Sequence, residues 1–322
     1  MKKALVTFMF ALLLGFVAPV SAEKPLVVVS LPPLAEIIKE ALGEQIEVVY
    51  LVPPGVEPHQ YQLSPDQVKL LEEAEVIVTT GHLPAEQRIL ELKEEGRIGG
   101  RVLGVKDYAR FGFHYLPERW YGHKANPHGM WLDPTNALAI AKAVVVALAE
   151  RHPEMAGELW GSYERFETKV EGIMEAYSGI ATGKRAIVEL PSQQYALEWM
   201  GLEVIASIKP EAEVPARSLD ELASLDANIV VYDENTPEAL KRAAKELSGR
   251  MGIPLTNITV LWTGKPYTEV LAQNARSIVT ALKGEVICLA TEDSRTEYAL
   301  LSFLVGVVLG VAIGVVIRKC PI

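Results

Sequence analysis

The sequence predicts an α/β protein of two pseudo-symmetric lobes with parallel sheets, joined by a long helix and followed by a C-terminal transmembrane helix. Three observations support this prediction. Short β-branched runs alternate with helical patterns in residues 26–105 and again in 186–282, a long helical pattern separates the two series, and residues 299–317 carry no charge. Strands that alternate with helices are typical of parallel sheets.

Composition excludes several classes of protein. The chain has 322 residues, of which 49% are hydrophobic and 22% charged, and it contains only two cysteines. These values exclude a disordered chain and a disulfide-stapled mini-protein. A formal net charge of −10 argues against a nucleic-acid partner, because such a surface repels phosphate. The length suits two domains that each bury a core.

The N-terminal residues 1–22 have the pattern of a secretory signal peptide. Lys2 and Lys3 precede an apolar run from Ala4 to Val17, and small residues lead up to Ala22. A charged start, an apolar middle and a small-residue cleavage site are typical of such signals. The alternative is a buried N-terminal helix, but a run this near the start of the chain has no earlier segment to pack against.

Residues 299–317 are long enough to cross a membrane as a helix at 1.5 Å rise per residue. Arg318 and Lys319 follow directly, and cationic residues favour the cytoplasmic side. We therefore predict a single-pass protein of the cell membrane, with an extracellular body, a linker at 287–298 and a cytoplasmic tail at 318–322. The two cysteines then lie on opposite sides of the membrane and cannot pair.

The first lobe is predicted to occupy residues 23–132. A Pro-Pro pair follows its first strand and opens a helical pattern, and the same alternation then recurs. The predicted strands are Leu26–Ser30, Ile46–Val52, Val76–Thr80 and Val102–Val105, and the predicted helices are Leu34–Leu42, Pro65–Ala74 and Pro84–Lys93.

A long helix is predicted at residues 133–180. Asp133 followed by Pro134 is a favoured helix start, with the carboxylate at the N-cap and proline at the first helical position. Apolar residues recur at helical spacing on both sides of Pro153, where we expect a break. Lobes joined by a helix permit only small rocking motions about the cleft between them.

The second lobe is predicted at residues 181–286 and repeats the alternation of the first. Its predicted strands are Ala186–Glu189, Glu203–Ile208, Asn228–Tyr232 and a strand near Leu255, and its predicted helices are Gln193–Met200, Leu219–Ser224, Thr236–Leu247 and Tyr267–Leu282. Ligands of open α/β sheets bind outside the carboxyl ends of the strands, which places a site in the cleft between the lobes.

Histidines are the candidate ligand-binding residues. His59 lies in a Pro/Gly-rich loop between a predicted strand and helix, and His128 lies in the loop before the long helix. A lone loop histidine is most often solvated. Two Pro-His loops at the junctions that line a cleft favour a shared metal site instead.

These two loops resemble the motifs of the cluster A-I substrate-binding proteins of metal ABC transporters, which bind zinc and manganese. The first motif, Gly-x-Asp/Glu-Pro-His-x-Tyr, matches residues 55–61 and is followed by Pro65 and Asp66. The second, Asp/Asn-Pro-His-x-Trp-Leu-Asp-Pro, matches residues 126–134 with one residue inserted. The resemblance continues through Tyr195 to the last helix and implies two lobes joined by a long helix.

The resemblance implies two further ligands, and the chain departs from the family at both. The family's third histidine falls on Leu190, which cannot bind a metal, although the neighbouring Glu189 can. The fourth ligand, commonly a carboxylate, falls near Asn257, which begins an Asn-Ile-Thr glycosylation sequon. Asp233, at the end of a strand, and His82, just after another strand, are alternative ligands.

Imidazole combined with carboxylate suits Zn²⁺, Mn²⁺ or Fe²⁺, whereas Ca²⁺ and Mg²⁺ prefer oxygen ligands alone. We expect zinc first and manganese next. His114, His123 and His152 are expected to be solvated.

The resulting hypothesis is a membrane-anchored receptor, not an enzyme, that captures a divalent metal and delivers it to an ABC permease. A span in place of a lipid-modified cysteine suggests an archaeal-type envelope, and we expect a monomeric exported domain. Two alternatives remain. The first is a surface zinc hydrolase, but the chain contains no recognisable catalytic motif and only Glu57 could serve as the catalytic base. The second is an adhesin or sensor with the same fold, which would explain the missing third histidine.

Overall fold

The computed structural model describes residues 24–118, 124–209 and 217–284. The predicted signal peptide, linker, transmembrane helix and tail lie outside the described residues, as does His123. Among the helices that are described, none combines the length and the apolarity that crossing a membrane requires.

A four-stranded parallel sheet forms the first lobe. Its strand order is β2-β1-β3-β4, so the first strand in the sequence lies in the interior of the sheet. The strands are β1 (Leu26–Val29), β2 (Glu47–Tyr50), β3 (Val76–Val78) and β4 (Arg101–Leu103), and the helices are α1 (Pro32–Leu42), α2 (Pro65–Glu73), α3 (Pro84–Glu94) and α4 (Val105–Tyr108).

A short antiparallel hairpin and a pair of long helices follow. The hairpin consists of β5 (Pro117–Glu118) and β6 (Lys124–Ala125), and the helices are α5 (Pro134–Arg151) and α6 (Ala156–Tyr177). The Asp133 side chain accepts hydrogen bonds from the N–H groups of Thr135 and Asn136, as expected of an N-cap residue. A single 3₁₀ turn, Pro153–Met155, separates the two helices at the predicted break.

A second four-stranded parallel sheet, of order β10-β9-β7-β8, forms the second lobe. Its strands are β7 (Arg185–Val188), β8 (Glu203–Ser207), β9 (Ile229–Asp233) and β10 (Leu255–Ile258), and its helices are α7 (Gln194–Glu198), α8 (Leu219–Ala223), α9 (Glu238–Met251) and α10 (Tyr267–Lys283). The helix predicted from Thr236 begins two residues later, because Pro237 stands at its N-cap in an extended conformation and proline disfavours helical backbone at the residue before it.

The side chains of each sheet alternate between two cores. In β1, Val27 and Val29 belong to a large central core, whereas Val28 belongs to a smaller core on the opposite face. The central core is continuous and contains buried residues of both sheets and of α1, α5, α6 and α10. The lobes therefore share one layer of packed helices, which opposes large rotations of one sheet against the other.

Polar contacts reinforce this packing between the lobes. The Glu40 carboxylate of α1 accepts hydrogen bonds from the backbone N–H and hydroxyl of Thr268, at 2.9 and 2.6 Å, in the first turn of α10. The indole N–H of Trp131 donates to the carbonyl of Val260 at 3.0 Å. The loop before α5 and the first helix of the chain are thus both attached to the second lobe.

Candidate metal centre

Three histidines from three separate loops meet at one place. One donor nitrogen from each of His59, His82 and His128 can be chosen so that all three lie within 4.8 Å of one another. Their ring centroids are 5.6, 5.4 and 4.9 Å apart. Within residues 24–118, 124–209 and 217–284, no other group of three or more histidine, cysteine or acidic side chains is as closely gathered.

His59 is held by the residue that caps its own short helix. The 3₁₀ helix Pro58–Gln60 follows β2, and Glu57 stands at its N-cap. The Glu57 Oε1 atom accepts hydrogen bonds from the His59 backbone N–H at 3.3 Å and from Nδ1 at 2.9 Å. The bond from the His59 side chain is the main cause that lowers the pKa of Glu57. With Nδ1 occupied as a donor, Nε2 is the nitrogen available to a metal.

His82 lies in the loop between β3 and α3, which is organised around the buried carboxylate of Glu86. This side chain is only 2% exposed. It accepts hydrogen bonds from four consecutive backbone N–H groups, those of residues 80–83. Glu86 lies in the first turn of α3. Backbone N–H groups at the start of a helix lack helical partners, so a carboxylate there is well placed to accept their hydrogen bonds.

Thr80 fixes the orientation of the His82 ring. The Thr80 hydroxyl donates to the Glu86 carboxylate at 2.9 Å, so its oxygen accepts from His82 Nδ1, 3.0 Å away. The Nε2 lone pair of His82 then points to its other side, as in His59. Burial, followed by the proximity of His128 and His59, lowers the pKa of His82 to about 3. His82 is therefore neutral at pH 7 and competent to bind a metal.

The loop that carries His128 is fastened to the second lobe. The Asn126 side chain accepts the backbone N–H of His128 at 3.0 Å and donates to the carbonyl of Pro191 and to Gln194, each at 2.9 Å. Gly129 has φ +75°, and a Cβ atom there would lie 2.0 Å from the carbonyl oxygen of Ser192. Only glycine fits between these two segments. Gly129, one of the two residues that fill the single variable position of this motif, is therefore in close contact with the second lobe.

The predicted carboxylate and amide ligands lie elsewhere in the second lobe. Glu189 is 0% exposed, and it accepts hydrogen bonds from the Thr236 hydroxyl and from the backbone N–H of Asp233. Burial raises the pKa of Glu189, and burial raises that of Asp233 to about 6. Asn257 is exposed on β10. None of the three joins the histidine cluster in this structure.

Two histidines that are expected to be solvated lie near acidic side chains. His152 Nε2 lies 2.6 Å from a carboxylate oxygen of Glu75, and His114 Nε2 lies 3.6 Å from one of Asp133. The expectation holds for His114, whose side chain is 45% exposed. It does not hold for His152, whose side chain is 25% exposed and hydrogen-bonded to Glu75, a residue distant in the sequence. Neither belongs to the cluster.

A cleft of about 660 Å³ lies between loops of the two lobes, and its lining includes Pro58, the residue before His59, but none of the three histidines. Its first wall is the segment 52–58 after β2, which ends one residue before His59. Its second wall comes from the loops after β9 and β10, with Asp233, Glu234 and Thr259. The carboxyl ends of strands in both sheets face this space, as the sequence predicted for a ligand site in open α/β sheets.

The groups that support the histidines were not predicted from the sequence. Thr80 and Glu86 orient the His82 loop, yet neither belongs to a metal motif. The signal available was a glutamate four residues after His82 at the start of a helix, which is a common position for a carboxylate that binds backbone N–H groups.

Two α/β lobes around a shared helical layer, with a cluster of imidazoles beside the cleft, define the class of two-lobed substrate-binding proteins. Within this class the particular family is also clear. Residues 27–281 match the profile of the ZnuA family, described as "Zinc-uptake complex component A periplasmic". The chain belongs to this family, and the expectation that it is not an enzyme agrees with that membership.

Relatives are identical to the chain at about a quarter of the aligned positions. The zinc-binding lipoprotein AdcA of Streptococcus pneumoniae is 24% identical over 279 residues, which cover 78% of this chain and 54% of the relative. The chain thus spans about half the length of that relative. A protein of Thermotoga maritima described as metal-binding is 28% identical over 265 residues, covering 80% of this chain and 92% of the relative.

Solved structures share the fold. A zinc-bound deletion mutant of ZnuA superposes with a TM-score of 0.66 at 24% identity, covering 80% of this chain and 98% of that one. The protein FpvC of Pseudomonas aeruginosa, in complex with Ni²⁺, superposes with a TM-score of 0.66 at 20% identity, covering 81% and 97%. At these identities the likeness concerns the fold alone.

Proposed function

We propose that the protein captures a divalent metal ion with His59, His82 and His128 and delivers it to an ABC permease. The observation that carries the proposal is the meeting of three imidazoles from three loops, two of them oriented by a hydrogen bond to Nδ1. Such supporting bonds are a regular feature of histidines that bind metals. Membership of the zinc-uptake family supports the same function.

Zinc is the first candidate substrate, with manganese and Fe²⁺ as alternatives. Zinc–nitrogen bonds of 2.0–2.1 Å in a tetrahedron place the nitrogens about 3.4 Å apart. The donor atoms here lie within 4.8 Å of one another, so small movements of the loops suffice to surround an ion. A set of neutral imidazoles favours zinc over manganese, which accepts oxygen ligands more readily.

Capture of the ion would connect the two lobes. His59 and His82 lie on loops of the first sheet. The His128 loop is instead hydrogen-bonded, through the Asn126 side chain, to Pro191 and Gln194 of the second lobe. An ion that pulls the three rings together therefore favours one relative position of the lobes, and a permease that favours another position would weaken the site.

We further propose that residues 299–317 tether the protein to the membrane beside its permease. The support is the uncharged length of this segment and the cationic pair that follows it. The name "lipoprotein" carried by the pneumococcal relative describes a membrane attachment by other means in that protein.

Titration of the purified full-length protein with zinc, against a competing chromophoric chelator, tests the proposed function. We expect one zinc ion per chain and no hydrolysis of ester or peptide substrates. Hydrolysis that depends on zinc would favour the enzyme alternative. Absence of binding would favour an adhesin or sensor that keeps only the fold.

A further inference from the structure

The cleft is much larger than a metal ion requires. Its volume of about 660 Å³ falls within the range of about 300–1,000 Å³ that is usual for pockets that bind small organic molecules. None of the three histidines lines the cleft, so an ion that they hold leaves this space free. Its lining includes Glu57 and Pro58, which directly precede the proposed ligand His59.

The walls of the cleft are largely apolar and come from both lobes. The first lobe contributes Leu31, Val52 and Val56, and the second contributes Leu190, Leu261 and Trp262. Val56 and Leu261 are 41% and 37% exposed, and they are two of the few large apolar side chains this exposed in the described part of the chain. Apolar side chains exposed on both walls of one cleft favour an occupant with an apolar body.

The charged side chains of the cleft select among such occupants. Glu57, Asp233 and Glu234 line it together with Lys265. Glu57 already holds His59, and Glu234 accepts a hydrogen bond from Thr259 at 2.8 Å. Three acidic groups against one basic group disfavour an anionic chelator and favour an occupant that is neutral or positively charged.

The coordination of the ion leaves room for a further ligand. In the described residues no carboxylate joins the three imidazoles. Three nitrogens leave one position open in a four-coordinate zinc ion and two in a five-coordinate one. A second molecule that supplies one or two nitrogen atoms would complete the coordination without adding negative charge.

We propose that the protein takes up its metal as a complex with a small, neutral nitrogen chelator, whose apolar body lies in the cleft while its nitrogens bind the ion held by the histidines. This inference rests on the proposed function, because it needs zinc at the three imidazoles. It names the substrate as a metal chelate instead of a bare ion.

The test uses 1,10-phenanthroline, a neutral bidentate aromatic chelator, and the full-length protein loaded with one equivalent of zinc. We expect native mass spectrometry to show a complex of one protein, one zinc and one phenanthroline. Citrate, an anionic chelator, should form no such complex. Leu261→Trp, which fills the cleft from an exposed position, should weaken the phenanthroline step at least 10-fold relative to the zinc step, as followed by calorimetry.

Leu90→Trp is the matched control, since Leu90 is 44% exposed on α3 and does not line the cleft. It should change neither step. Removal of zinc by phenanthroline without a ternary complex, or a ternary complex indifferent to Leu261→Trp, would overturn the inference and leave the proposed function standing. Failure of zinc to bind in the first place would overturn both.

Discussion

The Nδ1 atom of His59 lies 2.9 Å from Oε1 of Glu57, two residues earlier in the chain. The same carboxylate oxygen caps the short helix that carries His59, so one side chain fixes both the backbone and the ring. His82 is oriented in an equivalent way, through Thr80 and Glu86. Two rings from different loops therefore present Nε2 before any ion arrives, which lowers the entropy lost on binding.

Glu57→Ala is expected to weaken zinc binding by about 10- to 100-fold, the usual effect of removing a carboxylate that orients a metal-binding histidine. The His59 ring would then be free to rotate and to change tautomer. Competition titration with a chromophoric chelator measures the change in Kd. Glu95→Ala removes an exposed carboxylate that pairs with Arg88 and should have no effect. A Kd within twofold of wild type for Glu57→Ala would contradict the orienting role.

His82→Ala is expected to lower zinc affinity at least 10-fold, or about 1.4 kcal/mol and more, and so are His59→Ala and His128→Ala. The reason is the loss of one of three nitrogens around the ion. His152→Ala is the control, because His152 pairs with Glu75 outside the cluster. If His82→Ala bound zinc as tightly as wild type while the other two variants did not, the third ligand would have to come from elsewhere, with Glu189 or Asp233 as the next residues to replace.

The metal-free protein is expected to lose stability as the pH falls from 7.5 to 5, in part through His82. The unfolded chain binds a proton at this residue below about pH 6.5, whereas the folded chain, with a pKa of about 3, does not. Protons therefore stabilise the unfolded state across this window, by on the order of 2 kcal/mol at pH 5.

Urea denaturation of metal-free wild type and His82→Gln at both pH values measures this contribution. Glutamine does not titrate, so the variant should lose about 2 kcal/mol less than wild type. Equal losses in the two proteins would show that His82 is as easily protonated in the folded state as in the unfolded one.

Gly129→Ala is expected to reduce both stability and zinc affinity. The residue has φ +75°, and the added Cβ would meet the backbone of Ser192, so the His128 loop has to move away from the second lobe. We expect a loss of roughly 1–3 kcal/mol in the free energy of unfolding, since backbone conformation and packing are both disturbed.

Gly172→Ala is the matched control for this substitution. Gly172 lies inside α6, and a Cβ there would meet nothing within 4 Å. Alanine should raise stability by up to about 1 kcal/mol and leave zinc affinity unchanged. Thermal unfolding with and without zinc distinguishes the two variants. A Gly129→Ala protein as stable as wild type would argue against the tight contact between residue 129 and the second lobe.

Much of the fold could be predicted from the sequence, because its signals are local. The Asp133–Pro134 helix start, the break at Pro153 and the alternation of strands and helices depend on neighbouring residues. His59 and His128 were found for the same reason, since each lies in a compact Pro-His motif. Asp233 was predicted from its place at a strand end and Glu189 from its place beside Leu190, but hydrogen bonds with other parts of the second lobe hold Glu189 away from the cluster.

The order of the elements, the two α/β series and the two Pro-His loops follow from the amino-acid sequence alone. Three further relationships depend on the folded chain: His82 lies beside His59 and His128, Glu86 supports the His82 loop, and Asn126 attaches the His128 loop to the second lobe. The physical reason is that a short motif specifies the conformation of its own loop. The distance between loops is instead set by the order of strands in the sheets and by the packed helical layer between them, which depend on the whole chain at once.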